Sequence, residues 1–412
     1  MKCFVRLHKL GGGAPKSIFE YLKILKNEGC SLVILAQNDE DSLLTLYTEE
    51  FGPPLERKDF RKFFVERKIL GAYRELKYEI NLIKAEKPDL ILVQGASNAF
   101  FYTYICKRIG VPLVIVIAGG DLSAQRHLVS GWVRFGKTVC FSEENKEVIQ
   151  SACPENEVRV ISNRLSPKSV FNDIDEHYSS AKSGFINILV VSRLVRYKLN
   201  SVYKIIDRLS SSPYRSRIKI RIAGSGEKTG DFLKSIQNQG EERPDIRILG
   251  HVDNLVPEFE WAHIVCGKGR SVIEPIMMNR IGCVIGEDGK SSICRTENFD
   301  NLYHYNFAGR SIEYFSGDFD IANVIQSLAE GTYDVMELVR SAENVRKYYS
   351  AEYLKEKFFS VLDLSESKRE RARLRIGLRM LHYIFLETKH RLGEIFHGKK
   401  IFCSEQRQSK NV

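Results

Sequence analysis

The sequence lacks the cysteine pairs and the long apolar runs that mark several classes of protein. Its nine cysteines are odd in number and include no Cys-x-x-Cys pair, so neither a disulfide framework nor a structural zinc site is indicated. Its longest apolar runs, such as residues 111–118, reach about eight residues, whereas a membrane-spanning helix needs about 20. No secretory signal is indicated, because Arg6, His8 and Lys9 interrupt the first apolar residues. These absences favour a cytoplasmic protein kept under reducing conditions.

Proline is also scarce, with 11 residues among 412, and no low-complexity tract or internal repeat occurs. A composition of 43% hydrophobic and 28% charged residues is typical of a globular chain, and the length predicts two domains. The net charge is +10, of which +7 lies in residues 366–412, where 12 Lys/Arg stand against 5 Asp/Glu. Because the basic residues concentrate in this tail and the body has no basic and aromatic surface pattern, we expect no nucleic acid partner.

Several signatures of cofactor and nucleophile chemistry are missing as well. No G-x-S-x-G nucleophile elbow occurs, and no two histidines stand at metal-ligand spacing. The run at residues 224–230 is one residue too long for the dinucleotide motif G-x-G-x-x-G. We therefore expect neither a bound metal nor a dinucleotide cofactor.

Strand-like and helix-like segments alternate along the chain, which predicts an α/β architecture with parallel sheets covered on both faces. The predicted strands are residues 2–8, 31–36, 89–95, 111–117, 139–142 and 158–161, then 186–193, 217–224, 246–251, 262–267 and 282–287. Helical patterns between them include residues 15–28, 99–109, 201–210, 229–239, 271–279 and 320–329. We predict two Rossmann-like domains facing a central cleft, with the ligand at the carboxyl ends of the strands.

Two cations follow the first strand of the second half. Arg193 ends the strand, and Lys198 stands five residues later, just before a helical pattern. Two cations at a helix N-terminus suit a diphosphate, because their charges and the helix dipole act on the same anion. The alternative is a solvated loop in which both side chains cap nearby carbonyl groups.

A glycine-rich turn at Gly267 and Gly269 introduces a second candidate site. The glycines permit close backbone approach, and a helix begins near Ser271 with Glu274 in its first turn. A carboxylate such as Glu274 can accept hydrogen bonds from the two vicinal hydroxyls of a ribose. The Ser-x-x-Glu spacing is equally that of a capping box, in which both side chains accept from backbone N–H groups.

Four segments of the second half occur in an order that is found in one known family. They are VVSRLVRYK (190–198), RIAGSGE (221–227), ILGHVDNL (248–255) and GKGRSVIEPIMMNRIGCVIG (267–286). In this order they resemble the donor-binding half of retaining glycosyltransferases of the GT-B fold, family 4 type. Residues 11–35 are similar to the glycine loop and first helix of that family, and the resemblance extends over residues 1–362.

The resemblance implies a division of the chain. Residues 1–165 would form the acceptor-side domain, residues 166–184 a linker, and residues 185–344 the nucleotide-sugar-binding domain. Residues 345–362 resemble the closing helix that returns to the first domain, and residues 363–412 form a basic tail.

The resemblance also implies roles for single residues. Arg193 and Lys198 would hold the diphosphate of a nucleotide sugar, and Glu274 would hold the ribose. The glycine loop formed by Gly11, Gly12 and Gly13 would lie on the phosphate and acceptor side, or be only a tight turn before a helix. Further residues expected near the nucleotide are Gly224, Gly226, His251, Gly267, Gly269 and Ser271.

Two positions depart from the family pattern. Members commonly carry a first Glu, then seven residues, then the ribose Glu, but Cys266 stands at the first position here. The identity of the donor sugar is therefore open. Many members place a His after the strand 111–117, where this chain reads AGGDLSAQRH. Asp121 or His127 is expected to substitute as a catalytic group, although His127 could equally be a surface residue.

The resemblance implies a metal-independent sugar transfer with retained configuration, in which the leaving diphosphate takes the proton of the acceptor. We expect a nucleotide-diphosphate sugar as donor, no separate cofactor, and a saccharide or lipid-linked saccharide as acceptor, in surface polysaccharide or glycolipid synthesis. One alternative is a GT-B-type nucleotide-sugar epimerase, which needs no acceptor. Another is a catalytically degenerate GT-B binding or scaffold subunit, suggested by Cys266.

The basic tail predicts one long helix at residues 369–396. Its apolar side would be formed by Leu374, Leu378, Leu381, Phe385, Leu392 and Phe396. Such a helix could lie on an anionic membrane, on the inner face of the cell membrane and near a lipid-linked acceptor. The alternative is that the apolar side packs on the protein itself or on a partner.

Overall fold

The computed structural model of the protein describes residues 1–10, 13–37, 43–56, 69–120, 122–130, 136–162, 165, 170–226, 229–230, 232, 244–310, 320–362 and 378–390. The chain divides into two compact units. The first unit comprises Met1–Phe141, Asn145–Ile161 and Phe358–Val412. The second comprises Ser142–Glu144 and Ser162–Lys357.

The strands described in the first unit form one parallel sheet. They are β1 (Lys2–Lys9), β2 (Ser31–Gln37), β3 (Leu55–Glu56), β4 (Leu90–Gln94), β5 (Leu113–Ile117), β6 (Lys137–Cys140) and β7 (Glu157–Val160). Their order in the sheet is β3-β2-β1-β4-β5-β6-β7. β4 and β5 are buried at every position, as expected for apolar strands covered on both faces. The order reverses at β1, so the loops after β1 and β4 border the switch point where such sheets bind ligands.

Helices cover this sheet. They are α1 (Gly13–Asn27), α2 (Leu43–Phe51), α3 (Ile69–Glu86), α4 (Ala96–Ile109), α5 (Arg126–Val129) and α6 (Glu143–Ala152). In α1 the predicted apolar positions Ile18, Leu22 and Leu25 are all buried. The chain leaves α1 through Gly29, whose φ of +79° lies in the left-handed region that glycine adopts without strain.

The second unit has a sheet with one antiparallel edge. Its strands are β8 (Ile186–Val191), β9 (Ile218–Ala223), β10 (Asp245–Gly250), β11 (Ile264–Gly267), β12 (Ile281–Ile285) and β13 (Ser291–Ile293). Their order is β10-β9-β8-β11-β12-β13, and only β13 runs antiparallel to its neighbour among the described strands. The sequence analysis did not predict β13. A connection as short as residues 286–290 allows only antiparallel pairing, because a parallel crossover needs about a dozen residues.

Helices of the second unit pack on both faces of its sheet. They are α7 (Ile174–Ser183), α8 (Arg196–Ser210), α9 (Val256–Trp261), α10 (Arg270–Met277), α11 (Phe299–His304), α12 (Ile321–Glu330), α13 (Val335–Tyr349) and α14 (Ala351–Leu362). The end of α14, from Phe358 onward, belongs to the first unit. The helix predicted at 229–239 lies mostly outside the described residues. α7 stands within the segment that the sequence analysis treated as a linker, and its Tyr178 is buried and accepts a hydrogen bond from Ile281 N–H at 3.1 Å.

Residues 378–390 form a helix, α15, that packs on α4 in the first unit. Arg379 is buried, donates two hydrogen bonds to the carbonyl of Phe100 at 3.1 and 3.2 Å, and stacks on the Phe100 ring at 3.7 Å. Met380 and Tyr383 are buried beside it. The rest of the helix predicted at 369–396, with Leu374, Leu392 and Phe396, lies outside the described residues.

The predicted apolar side of this helix faces outward where it is described. Leu378, Leu381 and Phe385 are 54%, 59% and 63% exposed. The side that packs on the protein is therefore a different one, centred on Arg379 and Tyr383. No helix in the described ranges is long and apolar enough to cross a membrane.

A buried ion pair lies in the core of the first unit. Arg6 of β1 and Glu79 of α3 are only 2% and 1% exposed, and their Nε and Oε1 atoms are 3.2 Å apart. The hydroxyl of Tyr102 in α4 donates to Glu79 Oε2 at 2.8 Å, and burial raises the pKa of this tyrosine. The arrangement ties β1 to two helices, so loss of one charge would leave the other without a partner away from water.

We expect Glu79→Gln to lower the free energy of unfolding by about 3–5 kcal/mol, because it leaves Arg6 charged and uncompensated in the core. Urea unfolding followed by circular dichroism would measure the change. Glu86→Gln is the matched control, since Glu86 forms a partly exposed pair with Lys2 at 2.6 Å, and pairs open to solvent are worth at most about 1 kcal/mol. An equal loss in the two variants would contradict the role given to the buried pair.

Candidate functional site

The predicted donor-site residues of the second unit come together at one edge of its sheet. β8 and β11 are neighbours, with Val190 opposite Cys266. Both strands therefore end side by side, and the loop that carries Arg193 leaves next to the loop that follows Gly267. Because the carboxyl ends of parallel strands meet at the same edge, this is the place where α/β sheets bind ligands.

Lys198 lies in the first turn of α8, where its backbone N–H donates to Val195 O at 2.9 Å. Its pKa is lowered to about 8, first by burial and then by the nearby charges of Arg193 and Lys268, with Glu287 acting in the opposite direction. Arg193 itself is exposed. The structure thus brings together the two predicted cations, and a third that the sequence analysis did not consider.

Gly224 and Gly226 allow the loop after β9 to approach the loop after β8. A side chain at Gly224 would collide with the carbonyl of Ser192, and one at Gly226 with the carbonyl of Leu194. Leu194 N–H also donates to Ser225 O at 3.0 Å. Both positions therefore require glycine, because a side chain there would prevent one loop from packing on the other. The same contacts hold the loop that carries Arg193 in place.

The turn at Gly267 and Gly269 is a compact backbone structure before α10. Gly269 has φ +60° and ψ −130°, a conformation that favours glycine, and its N–H donates to Phe307 O at 2.7 Å. Ser271 Oγ accepts from Lys268 N–H at 3.1 Å and donates to Lys268 O at 3.0 Å. Ser271 lies inside α10, whose N-cap is Gly269, and it bonds a residue before the helix, whereas in a capping box it would accept from the N–H of Glu274.

Glu274 makes no capping bond among the described residues either. Its Oε1 accepts from Arg270 Nε at 2.9 Å and also from Arg270 Nη2. Its Oε2 accepts no hydrogen bond within the described ranges. Arg270 Nη1 is buried and has no partner among the described residues either. A buried donor without a partner beside an available carboxylate oxygen is a place where a polar ligand group would be favoured.

His251 follows β10 and is largely exposed. Its side chain is 57% exposed, and its Nε2 lies 3.1 Å from Asp253 Oδ1. The preceding Gly250 accepts from Gly224 N–H at 2.7 Å, so the loops after β9 and β10 are joined by their backbones.

A small cavity of about 150 Å³ lies at the carboxyl ends of β4 and β5 in the first unit. Its described lining consists of small and apolar residues together with Gln94 and Gln125, and includes no charged side chain. Gln94 Oε1 accepts from His8 N–H at 3.2 Å. The cavity reaches Ala14 at the start of α1, directly after Gly13, which has open space around its α-carbon.

The other site residues predicted in the first unit are Gly11, Gly12, Asp121 and His127. Gly11, Gly12 and Asp121 lie outside the described residues. His127 belongs to α5 and contacts α15, where its Nε2 lies 3.5 Å from Glu387 Oε1 and its ring 4.3 Å from that of His390. The structure does not place His127 in the described lining of the cavity.

Lys268 is the site residue that the sequence analysis missed. The signal was present, because Lys268 stands between Gly267 and Gly269 in a turn already identified as a candidate site. The glycines were considered for their backbone freedom, and the side chain between them was not.

Comparison with solved structures identifies the fold. HepE of Anabaena in complex with UDP matches with a TM-score of 0.64 at 15% identity, over 88% of this chain and 99% of HepE. A glycosyltransferase of Rickettsia africae matches with a TM-score of 0.56 at 16% identity, over 88% of this chain and 99% of that protein. TarM matches with a TM-score of 0.60 at 12% identity, over 88% of this chain and 98% of TarM. No protein-family profile and no curated protein sequence matches the chain. The chain has the two-domain α/β architecture of the GT-B fold.

The lowered pKa of Lys198 predicts how anion binding depends on pH. Affinity for a nucleoside diphosphate, the anion expected from the sequence, should fall about tenfold or more between about pH 7 and pH 9.5, because a neutral amine no longer attracts the diphosphate. Near pH 8 binding should also take up a proton. Titration calorimetry in two buffers of different ionisation enthalpy would measure both quantities.

Lys198→Arg provides the control for this pH dependence, because a guanidinium stays charged throughout the range. Its affinity for the same nucleoside diphosphate should fall much less than that of the parent from about pH 7 to 9.5. The same fall with pH in this variant would show that another group titrates.

Proposed function

We propose that the protein is a retaining glycosyltransferase of family 4 type, which transfers a sugar from a nucleotide-diphosphate sugar to an acceptor hydroxyl. The observation that carries this proposal is the cation cluster of Arg193 and Lys198 at the carboxyl edge of the second sheet. Cations that lower the pKa of a neighbouring lysine repel one another and are stabilised by a bound anion. HepE, which shares the fold, was solved with UDP, so a nucleoside diphosphate is the anion we assign to this cluster.

The two cations act on the leaving group. The bond between the anomeric carbon and a diphosphate oxygen breaks, and the acceptor oxygen forms its new bond on the same face of the sugar. Arg193 and Lys198 stabilise the charge that grows on the diphosphate, which favours the transition state over the bound substrate. A diphosphate oxygen takes the proton of the acceptor, so the step needs no side-chain nucleophile and no metal ion.

Glu274 and Arg270 hold the ribose. Glu274 Oε2 accepts from a ribose hydroxyl, and the buried Arg270 Nη1 donates to a ribose oxygen. The Oε1 of Glu274 remains on Arg270, which fixes the carboxylate in position. This differs from the simple expectation that both carboxylate oxygens take vicinal hydroxyls.

The acceptor binds at the cavity of the first unit. Its described lining is uncharged, with Gln94 and Gln125 as the polar side chains, which suits the hydroxyl groups of a saccharide. Asp121 stands in the sequence between Gly120 and Leu122, which both line the cavity. Asp121 stays the candidate for a catalytic group from the sequence order alone, because His127 contacts α15.

Thermal unfolding with ADP, GDP, UDP, dTDP and their sugars is the first test, since a ligand that binds only the folded state raises the unfolding temperature. Sugar transfer with the stabilising donor is then assayed in the presence of EDTA. Arg193→Ala should lower turnover by about 100-fold or more without changing the unfolding temperature of the free protein.

Arg215→Ala is the matched control, because Arg215 is an exposed arginine at the opposite, amino edge of the same sheet. Equal turnover of the two variants would refute the diphosphate role of Arg193. Conversion of the donor sugar without any acceptor would favour the epimerase. Stabilisation by no nucleotide at all would favour a scaffold subunit.

We also propose an anionic membrane, on the inner face of the cell membrane, as a partner of α15. The outward positions Leu378, Leu381 and Phe385 lie three and four residues apart and so share one side of the helix. The net charge of +7 in residues 366–412 complements anionic lipid. α15 packs on α4, whose first residue Ala96 lines the cavity, so a lipid-linked acceptor would reach the cavity from this side.

The double substitution Leu381→Ser with Phe385→Ser should weaken binding to vesicles of equal parts phosphatidylglycerol and phosphatidylcholine, measured by cosedimentation. Point substitutions are preferable to deletion of the tail, because deletion would also uncover the face of α4 that Met380 and Tyr383 cover. Leu70→Ser is the control, since Leu70 is a 74% exposed leucine of α3. Equal vesicle binding by the double variant and the control would refute the membrane role.

A further inference from the structure

Lys268 lies where a third positive charge enters the donor site. It is the first residue after β11, beside the loop that follows β8. A Cβ at the neighbouring Gly267 would lie 3.1 Å from Val191 O, which shows how closely the two strand ends approach. The lysine therefore leaves the same edge of the sheet as Arg193.

The backbone of Lys268 is held from two sides. Ser271 Oγ bonds both its N–H and its carbonyl group. The next residue, Gly269, donates to Phe307 O at 2.7 Å. A side chain on a backbone fixed in this way loses little further freedom when it binds a ligand.

The side chain of Lys268 runs over Gly309. A Cβ at Gly309, whose φ is +82°, would lie 3.3 Å from Lys268 Cε. The lysine side chain is 22% exposed, and its Nζ is 3.9 Å from Oε1 of Glu287, which is 80% exposed. A carboxylate so open to water is a weak partner, so Glu287 does not neutralise the site.

The charges around the amine favour an anion of more than one charge. Lys198, in the first turn of α8, is close enough that the charges of Lys268 and Arg193 both act on it. Arg310 acts on Lys268 from the segment after α11, although Arg310 is itself paired with Glu144 at 2.7 Å. Glu287 and Asp288 oppose them, and Asp288 is itself paired with Lys290 at 3.3 Å. Burial lowers the pKa of Lys268 as well as that of Lys198, so both amines gain from a bound anion.

We propose that Lys268 is a third cation that binds the diphosphate of the donor, together with Arg193 and Lys198. The inference rests on the proposed function and deepens it. The positive charge of Lys268 binds the diphosphate, which every nucleotide-diphosphate sugar carries. It does not bind the transferred sugar.

Lys268→Ala should weaken UDP binding about tenfold or more, because it removes one charge-assisted contact with the diphosphate. The loss should be the same factor for UDP, UDP-glucose and UDP-glucuronate in titration calorimetry. Lys268→Arg should recover most of the affinity. Lys290→Ala, which removes an exposed lysine from the same region, should bind as the parent does.

A second readout separates charge from structure. In Lys268→Ala the pKa of Lys198 should rise, because one of the neighbouring charges that lower it is gone. The fall of UDP affinity with pH should then move to higher pH. A variant that merely disturbed the turn would lose affinity without this shift, and that result would overturn the proposal.

The outcomes also distinguish this inference from the proposed function. If the parent chain binds none of ADP, GDP, UDP and dTDP, the proposed function fails. If the parent binds one of them and Lys268→Ala binds it equally well, only the assignment of Lys268 fails. A loss confined to UDP-glucuronate would transfer the role of Lys268 to a sugar carboxylate and overturn the diphosphate assignment.

Discussion

Repulsion among the cations at the carboxyl edge of the second sheet is the interaction on which the rest of the candidate donor site depends. Lys198 is held near Arg193 and Lys268 although their charges disfavour its protonated form. Backbone contacts keep them together: Gly224 and Gly226 let two loops pack directly, and Ser271 holds the turn of Lys268. The site is thus preorganised for an anion, because backbone contacts formed on folding hold the cations together against their repulsion before a ligand binds.

This chain departs from the family pattern it resembles at the residue directly before the turn of Gly267 and Gly269. Cys266 stands where a carboxylate is common, and Lys268 and Arg270 follow within four residues. Cys266 is fully buried in β11 opposite Cys283 of β12, so it cannot replace that carboxylate at a sugar. Of the cations on either side of Gly269, Arg270 bonds Glu274, and Lys268 is the one that we propose to act on phosphate. With Cys266 in place of a carboxylate this edge of the sheet carries one negative charge fewer, which favours an anion there.

The first unit has a different physical character. Its buried pair of Arg6 and Glu79 joins β1 to α3, so each charge in this core is compensated by the other. On the outside, α15 is held to α4 by a buried arginine stacked on Phe100, which leaves leucine and phenylalanine side chains facing outward. A cavity whose described lining carries no charged side chain begins at the first residue of α4, and α15, with its apolar outer surface, packs on the same helix.

The sequence by itself determined the α/β class, the main strands and the pairing of Arg193 with Lys198, because these follow from local periodicity and from the order of residues around strand ends. Tertiary structure decided the rest. Lys268 joins Lys198 only because β11 lies beside β8, a neighbour relation between strands about 75 residues apart that no local pattern encodes. The outward side of α15 was likewise unpredictable, since the helix has two sides with apolar residues and only packing on α4 selects Arg379, Met380 and Tyr383 for burial. Local rules specify which groups are present, and long-range packing specifies which of them meet.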